Sequence, residues 1–150
     1  MTVWVRSSDA DDWHRASELE FAGVLERGSI VLACGLTLDA AHGWQDARLD
    51  DFADPSLRHA PCARRAEREA VWLDRIDGNA AECAQQLADA LAPGVTVAEQ
   101  RGRDGLHVLA ATGGPITRQV AGAGRTAEAA AADLLAELEA LAPVIGARRA

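Results

Sequence analysis

The chain has 150 residues, 49% of them hydrophobic, which is enough for one domain or two small ones with a packed core, and too apolar for general disorder. Its formal charge is −8, split as −6 over residues 1–77 and −2 over residues 78–150, so neither half offers the basic field that broad phosphate-backbone binding needs. All 15 basic residues are Arg, there is no Tyr, and the only Asn is Asn79, a pattern that reflects a GC-rich coding bias rather than a function.

Thr2–Arg6 alternates, with Val3 and Val5 on one side and Trp4 on the other, and predicts a first strand. Ser7–Asp12 is a polar, acidic loop. Glu18–Leu25 and Ser29–Cys34, separated by the Arg27-Gly28 turn signal, predict a β-hairpin. From Gly35 to Ala60 the periodicity fades. Ala63–Asp77 predicts a helix, with Pro61 suited to its start and Asp77-Gly78-Asn79 as the break after it. A second helix is expected over Ala80–Leu91, with Cys83, Leu87 and Leu91 as its stripe and Ala84 and Ala88 alongside, ended by Pro93-Gly94. Three antiparallel strands follow at Val95–Gln100, Leu106–Ala111 and Ile116–Val120, linked by short Gly-containing turns. Gly122-Ala123-Gly124 then leads to an amphipathic helix with Thr126 as N-cap, Leu134, Leu138 and Leu141 as its buried stripe, and Pro143 as its stop. The fold class is therefore α+β. A β-hairpin-plus-helix part spans residues 1–77, and an α-β-β-β-α unit with an antiparallel sheet spans residues 78–150.

No run of about 18 apolar residues suggests a membrane span. The opening MTVWVRSSDADDW has no apolar signal core, so a cytoplasmic protein is expected. Three cysteines, Cys34, Cys62 and Cys83, are an odd number for a disulfide framework.

Candidate chemistry gathers in the first half. Trp13-His14 is followed by Cys34-Gly35, by Trp44, and by His59-Ala60-Pro61-Cys62 at a helix start. This order resembles short zinc-binding modules of actinobacterial and phage proteins, in which the pattern is a His, a hairpin ending in Cys-Gly, a Trp and a closing Cys-x-x-Cys that opens a helix. The resemblance spans about residues 4–76 and implies His14, Cys34 and Cys62 as ligands. The fourth would fall on Arg65, a departure from the pattern. His59 is the expected substitute, through a His-x-x-Cys chelate, with Asp54 or Glu67 as oxygen alternatives. A metal-free reading is also open, in which Cys34 ends a buried strand and Cys62 packs at a helix start, because free Cys is often buried.

The C-terminal order α-β-β-β-α resembles the double-stranded RNA-binding domain in topology, with Gly122–Ala129 at the place of that family's glycine-rich turn and final helix. That family grips phosphates with lysines in the first turn of the helix. Here Thr126–Ala130 holds one acid and no base, which disfavours nucleic acid as a partner. The expectation is a non-catalytic interaction or regulatory module with a structural zinc ion, acting through a protein partner or self-association. The alternatives are an RNA binder working through the C-terminal unit and an enzyme using Cys62 as nucleophile with His59 or His14 as base.

Overall fold

The computed structural model describes residues 3–7, 11–16, 28–34, 36–39, 44–47, 54–102 and 105–149. The chain divides into two compact units, residues 1–67 and 68–150, with the division inside a helix and ahead of the Asp77-Gly78-Asn79 break.

The first unit is built from short strands. β1 (Val3–Ser7), β2 (His14–Ala16) and β5 (Trp44–Ala47) form one antiparallel sheet in the order β2-β1-β5, and β3 (Ser29–Val31) pairs with β4 (Thr37–Asp39) as a hairpin. The first arm of the expected hairpin, Glu18–Leu25, lies outside the described residues. Residues 37–39 and 44–47, where the sequence loses its periodicity, are strands. As the central strand, β1 buries both of its faces. Val5 packs with Ala16, Ile30 and Leu32, while Trp4 on the other face packs with Trp13 and Cys62. Cys34 packs against both clusters. A 3-10 turn, Pro55–Leu57, capped by Asp54, precedes the helix α1 (Ala60–Arg75).

In the second unit, α2 (Ala80–Leu91), β6 (Val95–Arg101), β7 (His107–Gly113), β8 (Val120–Gly124) and α3 (Ala127–Arg149) follow one another, and the sheet order is β6-β7-β8. The Asn79 side chain accepts from the Glu82 N–H and starts α2; Gly94, at φ 91°, makes the turn after it. The buried seam of α2 is Ala80, Ala84 and Ala88, one residue on from the expected Cys83-Leu87-Leu91 stripe, whose members are half-buried. Small side chains let α2 and α3 approach, and Ala130 and Ala131 of α3 belong to the same core as Ala84 and Ala88.

Two expectations are corrected here. The third strand is Val120–Gly124, not Ile116–Val120: Ile116 donates its N–H to Gly113 O in a turn, and Ala111 pairs with Val120. The residues read as a connecting turn are therefore strand, because α3 lies directly on them. A Cβ at Gly122 would collide with Leu134 N and stand 2.5 Å from Ala130 O. Glycine is chosen there for close approach. The last helix, starting at Ala127 with Thr126 Oγ1 accepting from Ala129 N–H, runs through Pro143 to Arg149. Proline deletes one backbone donor, and the helical backbone resumes beyond it. Residues 130–136 of α3 are buried all the way round rather than along one stripe.

Both outer edges of this sheet are blunted by side chains. Gln85 Nε2 donates to Val95 O at 2.9 Å, and Val97 N–H donates to Gln85 Oε1 at 2.8 Å, so a side-chain amide takes the place of a neighbouring strand. On β8, Ala123 N–H donates to the buried Asp133 carboxylate at 3.0 Å. Such caps hinder edge-to-edge pairing at those positions. No helix among the described residues is long and apolar enough to cross a membrane.

Candidate metal centre

Three backbone ties bring four distant residues to one place. The pairing of β1 with β2 sets His14 opposite Val5. The β3–β4 turn is closed by Leu32 N–H donating to Leu36 O, and it is tied to β2 by Ala33 N–H donating to Arg15 O at 2.9 Å. Cys34, the next residue, is thereby held beside His14. Trp13 completes the arrangement: its N–H donates to Leu57 O and its carbonyl accepts from His59 N–H, both at 2.7 Å. That short parallel bridge places His59 next to β2. His59 O then accepts from Ala63 N–H as α1 begins, so His59 and Cys62, three residues apart, share one side of the first turn.

The result is one group of His14, Cys34, His59 and Cys62, with each potential ligand atom within 4.8 Å of every other. Cys34 Sγ lies 3.5 Å and Cys62 Sγ 3.8 Å from His14 Nδ1. The rings of His14 and His59 are 4.6 Å apart between centroids. A tetrahedral ion with thiolate bonds of about 2.3 Å and imidazole bonds of about 2.0 Å requires sulfur–nitrogen edges of about 3.5 Å. The two observed sulfur–nitrogen separations are close to that edge, so the cluster can hold a metal ion.

The surroundings suit a cation. Cys62 is fully buried, His14 is 9% exposed, and Nδ1 of His59 is buried with no hydrogen-bond partner. A buried imidazole nitrogen left unpaired is costly unless an ion or water takes its lone pair. Burial, with the His59 ring nearby, lowers the pKa of His14 and keeps it neutral, the form that binds metal. Burial pushes the Cys62 thiol up to about 11, and the adjacent Cys34 sulfur contributes, so binding requires Cys62 to release its proton.

The oxygen alternatives are not in the group. Asp54 is exposed and its carboxylate accepts from both the N–H and the hydroxyl of Ser56, at 2.9 and 2.8 Å. Glu67 is exposed on α1, and Arg65 is half-buried one turn after Cys62. Cys83 and His107 belong to the other unit, half-buried and exposed respectively. Trp72 lies in the core of that unit, and Trp44 is on β5.

Trp4 and Trp13 are buried beside the cluster, as expected of tryptophans that supply bulk to the core of the first half. Each carries an arginine on its ring, Arg58 over Trp4 at 4.7 Å and Arg6 over Trp13 at 4.6 Å, and both indoles pack with Cys62. The Trp13-His14 dipeptide was a usable signal: in a strand, neighbours point to opposite faces, so one residue can fill the core while the next faces the cluster. Comparison of the chain with protein-family models, curated proteins and solved structures found no match.

Proposed function

We propose that the protein is a non-catalytic interaction module whose N-terminal unit is organised by one structural zinc ion bound to His14, Cys34, His59 and Cys62. The observation that carries this reading is the convergence of two sulfurs and two imidazoles within 4.8 Å of one another, with both sulfur–His14 separations near the tetrahedral edge. Thiolate with imidazole favours zinc over the hard cations magnesium and calcium, which take oxygen ligands. Four protein ligands fill a tetrahedron and leave no open position for substrate or activated water, the arrangement of structural rather than catalytic sites. The full burial of Cys62 supports the same reading over a cysteine enzyme, since a substrate must reach the sulfur it reacts with. The acidic charge of −8 fits a basic protein partner better than a second copy of the chain, which it would repel.

Elemental analysis of protein purified without chelators tests the reading. About one zinc per chain is expected, falling well below one in Cys34→Ser and His59→Ala. Wild-type protein that neither carries zinc nor takes it up on addition overturns the assignment.

A further inference from the structure

We propose that Cys34 and Cys62 form a peroxide-responsive release switch for this ion, oxidation joining the two sulfurs and dismantling the ligand set. The inference rests on the zinc reading above and adds a means of control to it.

Both sulfurs belong to the group whose ligand atoms lie within 4.8 Å of one another, and a disulfide needs them about 2.05 Å apart. The remaining distance is within the sweep of a cysteine side chain. The two residues differ in the way such a pair requires. Cys34 is half-buried in the turn between two three-residue strands, with the adjacent Leu32 and Ala33 N–H groups holding the turn in place. Cys62 is fully buried in the first turn of α1. An oxidant therefore meets Cys34 first, and Cys62 waits beside it as the resolving sulfur. The third cysteine, Cys83, belongs to residues 68–150, and its Sγ contacts Arg75 O at 3.7 Å.

The oxidant is hydrogen peroxide. The Cys34 thiolate attacks one peroxide oxygen, the O–O bond breaks, hydroxide leaves, and Cys34 becomes a sulfenic acid. The Cys62 thiolate then attacks Cys34 Sγ, the S–S bond forms, and a second hydroxide leaves. Two thiolates lose two electrons, one peroxide gains them, and two protons from solvent turn both hydroxides into water. Two imidazoles remain, half of a tetrahedral donor set, and the ion is lost. A dithiol reductant with added zinc reverses the process by thiol–disulfide exchange.

The test uses the full zinc-loaded chain and its Cys83→Ser variant, treated with excess hydrogen peroxide. Released zinc is read with a chromogenic chelator, and cysteine linkage by non-reducing peptide mapping after alkylation. The expected result is loss of about one zinc per chain in both proteins, a Cys34–Cys62 linked peptide, free Cys83 in the wild type, and recovery with dithiothreitol and zinc. Retained zinc, release with Cys34 carried to sulfinic acid and no link, or a link through Cys83 overturns the switch while leaving the zinc site standing. A chain that binds no zinc before peroxide is added overturns the zinc reading itself, and with it the switch.

Discussion

If the proposed zinc ion organises the N-terminal unit, removing it should loosen that unit far more than the C-terminal one. Among the described residues of 1–67 the large buried side chains include Trp4, Val5, Trp13, Ile30 and Leu32, and β2, β3 and β4 are three residues each. Structural zinc sites release about 10–16 kcal/mol on binding, comparable to or above the roughly 5–15 kcal/mol that holds a whole domain folded. With free zinc near a thousand times its dissociation constant, the ion contributes about 4 kcal/mol, so chelation should speed opening-limited amide exchange about a thousandfold. The sensitive amides are Trp13, Ala33 and His59, whose N–H groups make the ties that assemble the cluster. Hydrogen-exchange mass spectrometry with and without a chelator reads them directly, and peptides covering α2 and the centre of α3 serve as the internal control. If chelation removes the ion and protection at Trp13, Ala33 and His59 changes by less than about tenfold, the metal does not organise the unit and the reasoning fails.

The other predictions concern the C-terminal unit. Gly122→Ala puts a methyl group where Leu134 N and Ala130 O already stand, so α3 must lift from β8; overpacking of this kind costs about 1–3 kcal/mol, and denaturant unfolding should show at least that. Unchanged stability would mean α3 does not lie on β8 so closely. Gln85→Ala removes both side-chain bonds from the β6 edge, at about 1 kcal/mol each, and the bared edge should raise the dimer fraction in sedimentation at high concentration; a monomer of wild-type stability contradicts the capping role. Glu139 is held below its usual pKa, first by its hydrogen bonds from Arg68, with Nε to Oε1 at 2.6 Å. A carboxyl lowered in the folded state adds stability that is present above the unfolded value near 4.5 and is lost as pH falls through the folded value. The pair is solvent-exposed, so the effect is small, and Arg68→Ala should flatten the loss of stability between pH 5 and 3 slightly. An identical pH profile in the variant would show that the pair contributes nothing.

How much was legible depended on element length. α2 could be placed over Ala80–Leu91 with Pro93-Gly94 as its end, because twelve residues of helical period carry their own signal. β4 and β5, at three and four residues, are too short for a periodic pattern and exist because β3 and β1 supply partners. The glycines of β8 look like a turn in one dimension, and only the helix lying on them explains why a strand is made of Val-Ala-Gly-Ala-Gly. Pro143 carries a strong local stop signal, yet the backbone continues through it.

For the candidate site, the amino-acid sequence by itself determined the donor types and one local chelate. His59 and Cys62 are three residues apart at a helix start, and that spacing puts both on one side of a turn whatever the rest of the chain does. The choice among His59, Asp54 and Glu67 was beyond it. Tertiary structure decided that choice through the bridge between Trp13 and residues 57–59, which carries His59 to His14 across a separation of 45 positions and leaves Asp54 to cap a 3-10 turn. The physical reason is range: chelate spacing is set by backbone geometry over three residues, whereas the meeting of His14, Cys34 and Cys62 depends on backbone hydrogen bonds between segments far apart in the chain.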